Sequence, residues 1–370
     1  MTVPFSGRPT THEYMLWVIM SVSGGFRKRC NVPIGEEPFM DGFAESGIAP
    51  EVVRAILIDE RRIELYWNAQ VMRAGEDASF EVMLDGERLP LVHWTCDMPW
   101  SHGTVYLRET MKSCISLVDP VDTARAGDIR VRVVGEVRDL LDQEVDHERV
   151  YTLSYEPYYT QFLTSRDGII VKGSAEVQPL ALEIAREIVD IMLEKIPRIG
   201  SFLKELGSSV VVYALGLSSY DVPEHRMGYL LSQRVVDGLG GSFEDPVASV
   251  GECNLIRLLA GRYMTRYPNE LVFVHEFAHS IHQAGIDYLP DQTLAKRLRE
   301  VFANAQEKDL WPGTYGMIDV SEYFATITSI WFNAQAEGIN GEWDGIRGPV
   351  NTRDEMREYD PLAWRFMADI

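Results

Sequence analysis

The sequence predicts an α+β protein in two parts, and three observations carry that reading. Between about 78 and 155, short runs such as FEVMLDG, TVYLRE and DIRVRVVGEVRD alternate apolar and polar residues, the pattern of half-buried antiparallel strands. Beyond 156 the pattern is mixed, with helical stripes around one continuous apolar run, SVVVYAL at 209–215. The length of 370 residues exceeds what one ordinary core holds and suits two.

In chain order, Thr10-Thr11-His12-Glu13 reads as a capping box opening a short helix. Residues 10–75 read as mainly helical, with VVRAILIDERRIELYWNAQVMRAG after Pro50 as one helix ending near Gly75. Strands follow, turning at Asp85-Gly86 and Gly127-Asp128. Tyr155-Glu156-Pro157 marks a junction. The expected division is an N-terminal domain of helices and then antiparallel strands over 1–155, with no chemical motif, and a second domain over 156–370. In the second, Leu180, Ile184, Ile188, Ile191 and Met192 form a helical stripe, and 209–215 is a buried strand. Residues 237–254 are loop-rich, with Pro246 to Glu252 readable as an edge strand or an ordinary polar loop. A helix spans about 270–284, with Gly285 in the C′ place. Helices follow at 292–308 and 320–336, and Asn351-Thr352 caps a last one.

Composition narrows the partners. The net charge is −21, which disfavours nucleic acid and anionic membrane, since both need clustered Lys and Arg. Cys30, Cys96, Cys114 and Cys253 are scattered without CxxC spacing, so reduced thiols in a cytoplasmic protein are expected. The apolar stretch Tyr14 to Val22 is short, and its charges come after it rather than before, unlike a secretory signal. No run is long enough to span a bilayer. The sequence does not choose an oligomeric state.

The chemistry concentrates in LVFVHEFAHSIHQAG, residues 271–285. On a helix, His275 and His279 project from one face a turn apart. Two imidazoles so placed can take two corners of a Zn²⁺ tetrahedron. Glu276 sits about 100° round the helix. From there it can reach a water at the open position without ligating the metal, the general-base arrangement of HExxH. The competing reading is a core helix with hydrogen-bonded histidines. Phe277, Ala278 and Ile281 would pack such a helix into a core on either reading.

A catalytic zinc needs a third protein ligand. The continuation HxxGxxH is closed, because position 282 is His where Gly is needed and 285 is Gly where His is needed. Asp287, Asp291, Glu300, Glu307, Asp309, Asp319 and Glu322 remain downstream. Asp287 and Asp291 lie too near in chain to fold back, and Glu300 suits a solvated face. Glu322 opens the apolar helix SEYFATITSIWFNA, where a buried carboxylate needs a partner. Asp319-Val320-Ser321-Glu322 also fits a capping box with Glu322 at N3, so ligand and cap stay open on spacing alone. His282 lies almost two turns beyond His275 and is expected beside the site or at the cleft rim. It is also the nearby candidate for a fourth ligand, should the metal be structural.

Together, HEFAH, Tyr315-Gly316 and Glu322-Tyr323-Phe324-Ala325 resemble the catalytic domain of anthrax lethal factor and its relatives, which are gluzincin zinc metallopeptidases. The spacing of seven between Tyr315 and Glu322 agrees with that pattern. The resemblance covers 270–335, and more loosely 160–360. It implies a zincin-like domain with one Zn²⁺ per chain held by His275, His279 and Glu322. It makes Glu276 the general base and Tyr315 the oxyanion donor. Ala278, His282 and Thr326 depart from the family pattern, where Gly, Asp and an acidic residue are usual. The implied activity is hydrolysis of a peptide or other amide. A zinc enzyme with a small-metabolite substrate and a non-catalytic metal-binding module are the alternatives. The loop Tyr220 to Arg226 and the segment Pro246 to Glu252 are further candidates for the site.

Overall fold

Residues 51–72, expected as a helix, form two antiparallel strands in the computed structural model, which describes residues 49–72, 79–92, 109–139, 141–225 and 236–370. The cap at Thr10 to Glu13 and the apolar stretch Tyr14 to Val22 lie outside the described residues. In β1 (Val52–Leu57) and β2 (Arg62–Met72), Ile63, Leu65 and Trp67 are buried at every second position, with Glu64 also drawn in. The chain reverses at Asp59, whose carboxylate accepts from Arg61 N at 2.8 Å and from Arg62 Nη1 at 2.7 Å. β-Branched side chains favour the pleated form, and pairing with a partner strand overrides the helical stripe these charged residues also allow.

Of the alternating runs, FEVMLDG and DIRVRVVGEVRD form strands as expected, whereas TVYLRE, apart from Glu109, lies outside the described residues. β3 (Phe80–Leu84) and β4 (Glu87–Arg88) are joined by a two-residue turn in which Asp85 and Gly86 both have positive φ, 54° and 81°, the geometry that matches strand twist. β5 (Glu109–Ser116), β6 (Arg130–Val133), β7 (Arg138–Asp139), β8 (Val150–Thr152) and β9 (Ser154–Tyr155) follow. One sheet runs β5-β2-β1-β9, with β7 also on β2, and another runs β4-β3-β6-β8. Residues from both enclose one apolar cluster that includes Leu57, Ile63, Phe80, Val82, Ile129 and Val133.

Beyond Pro157 a second cluster forms around a mixed sheet of order β10-β11-β12-β14-β13. Its strands are β10 (Gln161–Thr164), β11 (Ile170–Gly173), β12 (Ser209–Tyr213), β13 (Gly238–Leu239) and β14 (Val247–Gly251). β12 is buried throughout, as its apolar run predicts. The 246–252 segment is not an edge. β14 pairs with β12 in parallel and with β13 antiparallel, and all five of its residues are buried. A small, apolar strand covered on both faces belongs inside a sheet, and the edge falls to β13.

Helices α1 (Pro179–Leu193) and α2 (Pro197–Leu206) lead from β11 to β12. The buried face of α1 is Ala181, Leu182, Ala185, Val189, Met192 and Leu193, whereas Leu180 and Ile191 are exposed. The predicted stripe is thus rotated: Met192 faces inward as expected, Ile184 and Ile188 are half-buried, and Ala181, Leu182, Ala185, Val189 and Leu193 make up the rest of the buried face. A short α3 (Glu252–Leu255) precedes α4 (Val272–His279). Beyond His279 the helix widens into a π turn over Ser280–Gly285 and a 3₁₀ turn over Ile286–Tyr288. Gly285 therefore does not cap it in the left-handed form. Its lack of a side chain serves a close approach, since a Cβ there would lie 2.8 Å from Ile199 Cγ2. α5 (Thr293–Glu307) and α6 (Val320–Trp331) follow, the latter ending five residues before the expected 336. Thr352 caps α7 (Arg353–Tyr359) with a full capping box, and α8 (Pro361–Asp369) completes the chain. No helix among the described residues is long and apolar enough to cross a membrane.

Candidate metal centre

α4 and α6 pack side by side and bring three predicted residues together. A ligand atom from each of His275, His279 and Glu322 lies within 4.8 Å of the others. His275 Nε2 is 3.0 Å and His279 Nε2 is 3.6 Å from Glu322 Oε2. Zinc bonds near 2.0–2.1 Å at tetrahedral angles would set donor atoms roughly 3.4 Å apart, so two imidazoles and a carboxylate here suit such an ion in chemistry and spacing.

Asp319 settles which residue caps α6. Its carboxylate accepts from Ser321 N at 2.8 Å and Glu322 N at 2.9 Å. The Glu322 side chain points instead to His275, and its Oε1 accepts from the Tyr315 hydroxyl at 3.1 Å. Asp319 therefore does the capping, which leaves the Glu322 carboxylate free to face the histidines.

His279 is oriented from its far side. Its Nδ1 lies 2.7 Å from Ser321 Oγ, which also accepts from Gln283 Nε2 at 2.7 Å. The hydroxyl keeps a second lone pair for an Nδ1–H, and that tautomer leaves the Nε2 lone pair facing Glu322 and the gap beside it. His275 Nδ1 faces Glu270 Oε1 at 3.7 Å. Sequence reasoning missed Glu270, Ser321 and Gln283. The available signal was a lone carboxylate in the apolar run before His275 and a hydroxyl next to Glu322.

The edge strand crosses the same face. A Cβ on Gly238 would meet Glu276 Cγ at 2.6 Å, and one on Gly240 would meet His279 Cβ at 2.2 Å. Only glycine lets β13 and the following loop lie this near α4. Glu276 is thereby walled in. Burial pushes its carboxyl pKa up, the His275 and His279 charges pull the other way, and Glu322 and Glu270 add to the rise. Burial and the neighbouring Glu322 charge also raise the Tyr315 phenol, keeping it protonated.

Other candidates fall outside. His282 is buried rather than at a rim, with Nε2 3.3 Å from Asp287 and its ring against Phe324. The widened turn after His279 faces it into the core, so it does not join the triad as a fourth ligand. In the Tyr220 to Arg226 loop, whose Arg226 lies outside the described residues, Glu224 pairs with Lys172 at 2.8 Å, and His225 bonds Ser249 Oγ and Val247 O, each at 2.9 Å. A cavity of about 620 Å³ lies by the start of α4, lined by Ile188, Met192, Leu271, Val274, Phe332 and Glu270 but by none of the triad.

No protein-family model matches the chain, and no curated protein does. Among solved structures, the S-layer protein rSbsC(31-844) aligns at 15% identity over 34% of this chain and 16% of that one, with a TM-score of 0.25. Domains 1–6 of the surface layer protein SbsC align at 16% identity over 35% and 17%, TM-score 0.25. The N-terminal part of the bacterial S-layer protein SbsC aligns at 16% identity over 35% and 29%, TM-score 0.25. The chain spans less than a third of each, and at that TM-score the likeness carries no argument.

Proposed function

We propose that the protein is a zinc-dependent hydrolase of peptide or other amide bonds, of the gluzincin type, with a zincin-like second domain. The observation that carries this is the convergence of His275, His279 and Glu322 from two helices, with Glu276 on the same helix as the two imidazoles. A zinc ion held by the three would polarise the scissile carbonyl and acidify water at its open position.

The chain's own residues supply the rest. Glu276 takes the proton from the attacking water and passes it to the leaving amine, and its raised pKa brings it nearer the working range of a general base. Tyr315 is half-exposed and hydrogen-bonded to Glu322. Its hydroxyl can turn from that carboxylate to the developing oxyanion. Among the described residues β13 is an edge strand beside Glu276, so an extended substrate backbone can add to the sheet there.

Glu276→Gln keeps the shape of the side chain and removes the base. It is expected to retain one zinc per chain while turnover of a peptide library falls roughly 10²–10⁴-fold. Undiminished turnover in this variant would overturn the mechanism. If the wild-type protein holds zinc but cleaves no peptide, the substrate class moves to small amides.

A further inference from the structure

We infer that Glu270 is a positioning residue for the metal centre, holding the His275 imidazole in the orientation and tautomer that offers Nε2 to the ion; this rests on the zinc reading above. Glu270 lies just before α4, and its backbone is clamped. Its carbonyl accepts from Arg257 Nη1 at 2.6 Å and from Asn254 Nδ2 at 2.9 Å, and Leu271 N donates to Ala334 O at 2.7 Å. Such anchoring fixes where the side chain can reach.

That side chain is only 13% exposed. Among the described residues, His275 is the one cationic side chain within ion-pair distance of its carboxylate, at 3.7 Å from Nδ1. A secluded carboxylate with no Lys or Arg partner is costly, and the His275 ring, at ion-pair rather than hydrogen-bond distance, is the group that offsets the cost. The opposite ring nitrogen, Nε2, is the one aimed at Glu322. A proton kept on Nδ1 by Glu270 therefore leaves the Nε2 lone pair for a metal, and a nearby negative charge makes that lone pair a better donor. Ser321 faces His279 Nδ1 at hydrogen-bond distance, 2.7 Å, with a neutral hydroxyl, so the two rings are held by unlike groups from different elements.

The test is zinc affinity by chelator competition on the full chain, with the visible spectrum of the cobalt(II)-loaded protein as a second readout. Wild type, Glu270→Gln and Glu270→Ala are compared. The expected result is one zinc per chain at saturation in all three, roughly 10–100-fold weaker binding in Glu270→Ala, and a shifted cobalt spectrum. Glu270→Gln keeps an acceptor oxygen and should recover part of the loss; being nearly isosteric, it also stands in if the alanine variant fails to fold. Unchanged affinity and spectrum in both variants would overturn the positioning role while leaving the zinc centre standing. A wild-type protein that takes up no zinc would overturn the centre and the role together.

Discussion

His275 and Glu322 show how the site balances its own charges. Burial works against the His275 cation, but the hydrogen bond with Glu322 and the charges of Glu276, Glu270 and Glu322 outweigh it and raise the pKa from 6.5 to about 9. Burial likewise opposes the Glu322 carboxylate, yet hydrogen bonds and charges from His275 and His279 bring it from 4.5 down to about 2. The stabilisation from His275 is complete below pH 6.5 and disappears as pH rises through about 9. That from Glu322 is complete above pH 4.5 and disappears as pH falls toward 2. A metal would replace the His275 Nε2 proton, so zinc affinity should climb about tenfold per pH unit from 6.5 until it levels near 9. Chelator competition across that range measures this, and a flat profile would mean that zinc displaces no proton from His275 between those pH values. At this scale the i, i+4 histidines were readable because one helix sets their spacing. Glu270 was not, because nothing local ties it to a ring five residues away.

Among the elements, α4 and β13 depend on each other most closely. The glycines at 238, 240 and 241 read in sequence as loop formers, yet two of them are contact positions against the proposed metal helix. Gly240→Ala puts a methyl 2.2 Å from His279 Cβ and 2.9 Å from the Glu276 carbonyl, and neither atom is the free end of a side chain. The helix or the strand must move. We expect a loss of about 1–3 kcal/mol in urea unfolding, with weaker zinc binding in the same variant. Gly127→Ala, whose Cβ would meet nothing within 4 Å, should leave zinc binding unchanged and serves as the control. β1 and β2 depart from the helical expectation for a related reason. Their apolar residues satisfy a helical and an alternating pattern at once, and only the partner strands decide between them.

Across the molecule, the apolar clusters around 52–153 and 163–367 are linked by a polar network. Glu224 pairs with Lys172 at 2.8 Å and lies 4.0 Å from Arg62 at the start of β2, and it accepts from the Tyr159 hydroxyl at 2.5 Å. Burial opposes this carboxylate's ionisation, but the Lys172 and Arg62 charges hold its pKa below the usual range. Removing one cation leaves a buried charge short of a partner. Lys172→Met is therefore expected to lower unfolding stability by about 3 kcal/mol, and a change under 1 kcal/mol would mean that Arg62 and Tyr159 suffice. In sequence the Tyr220 to Arg226 loop is polar and a candidate for the site. Its buried polar groups instead help join the strands of the first part to the sheet of the second.

What the sequence by itself determined was local. It placed His275, Glu276 and His279 on one helix, a buried strand within 209–215, the turn at Asp85-Gly86 and the cap at Thr352. Each follows from a period or a hydrogen bond that a few neighbouring residues establish among themselves. Only the tertiary structure decided that 51–72 pairs as strands, that β13 and not β14 is the edge, that Glu322 turns toward the histidines while Asp319 caps, and that Glu270 faces His275. Those depend on which surfaces meet across tens of residues, and burial free energy, not local propensity, selects among the alternatives.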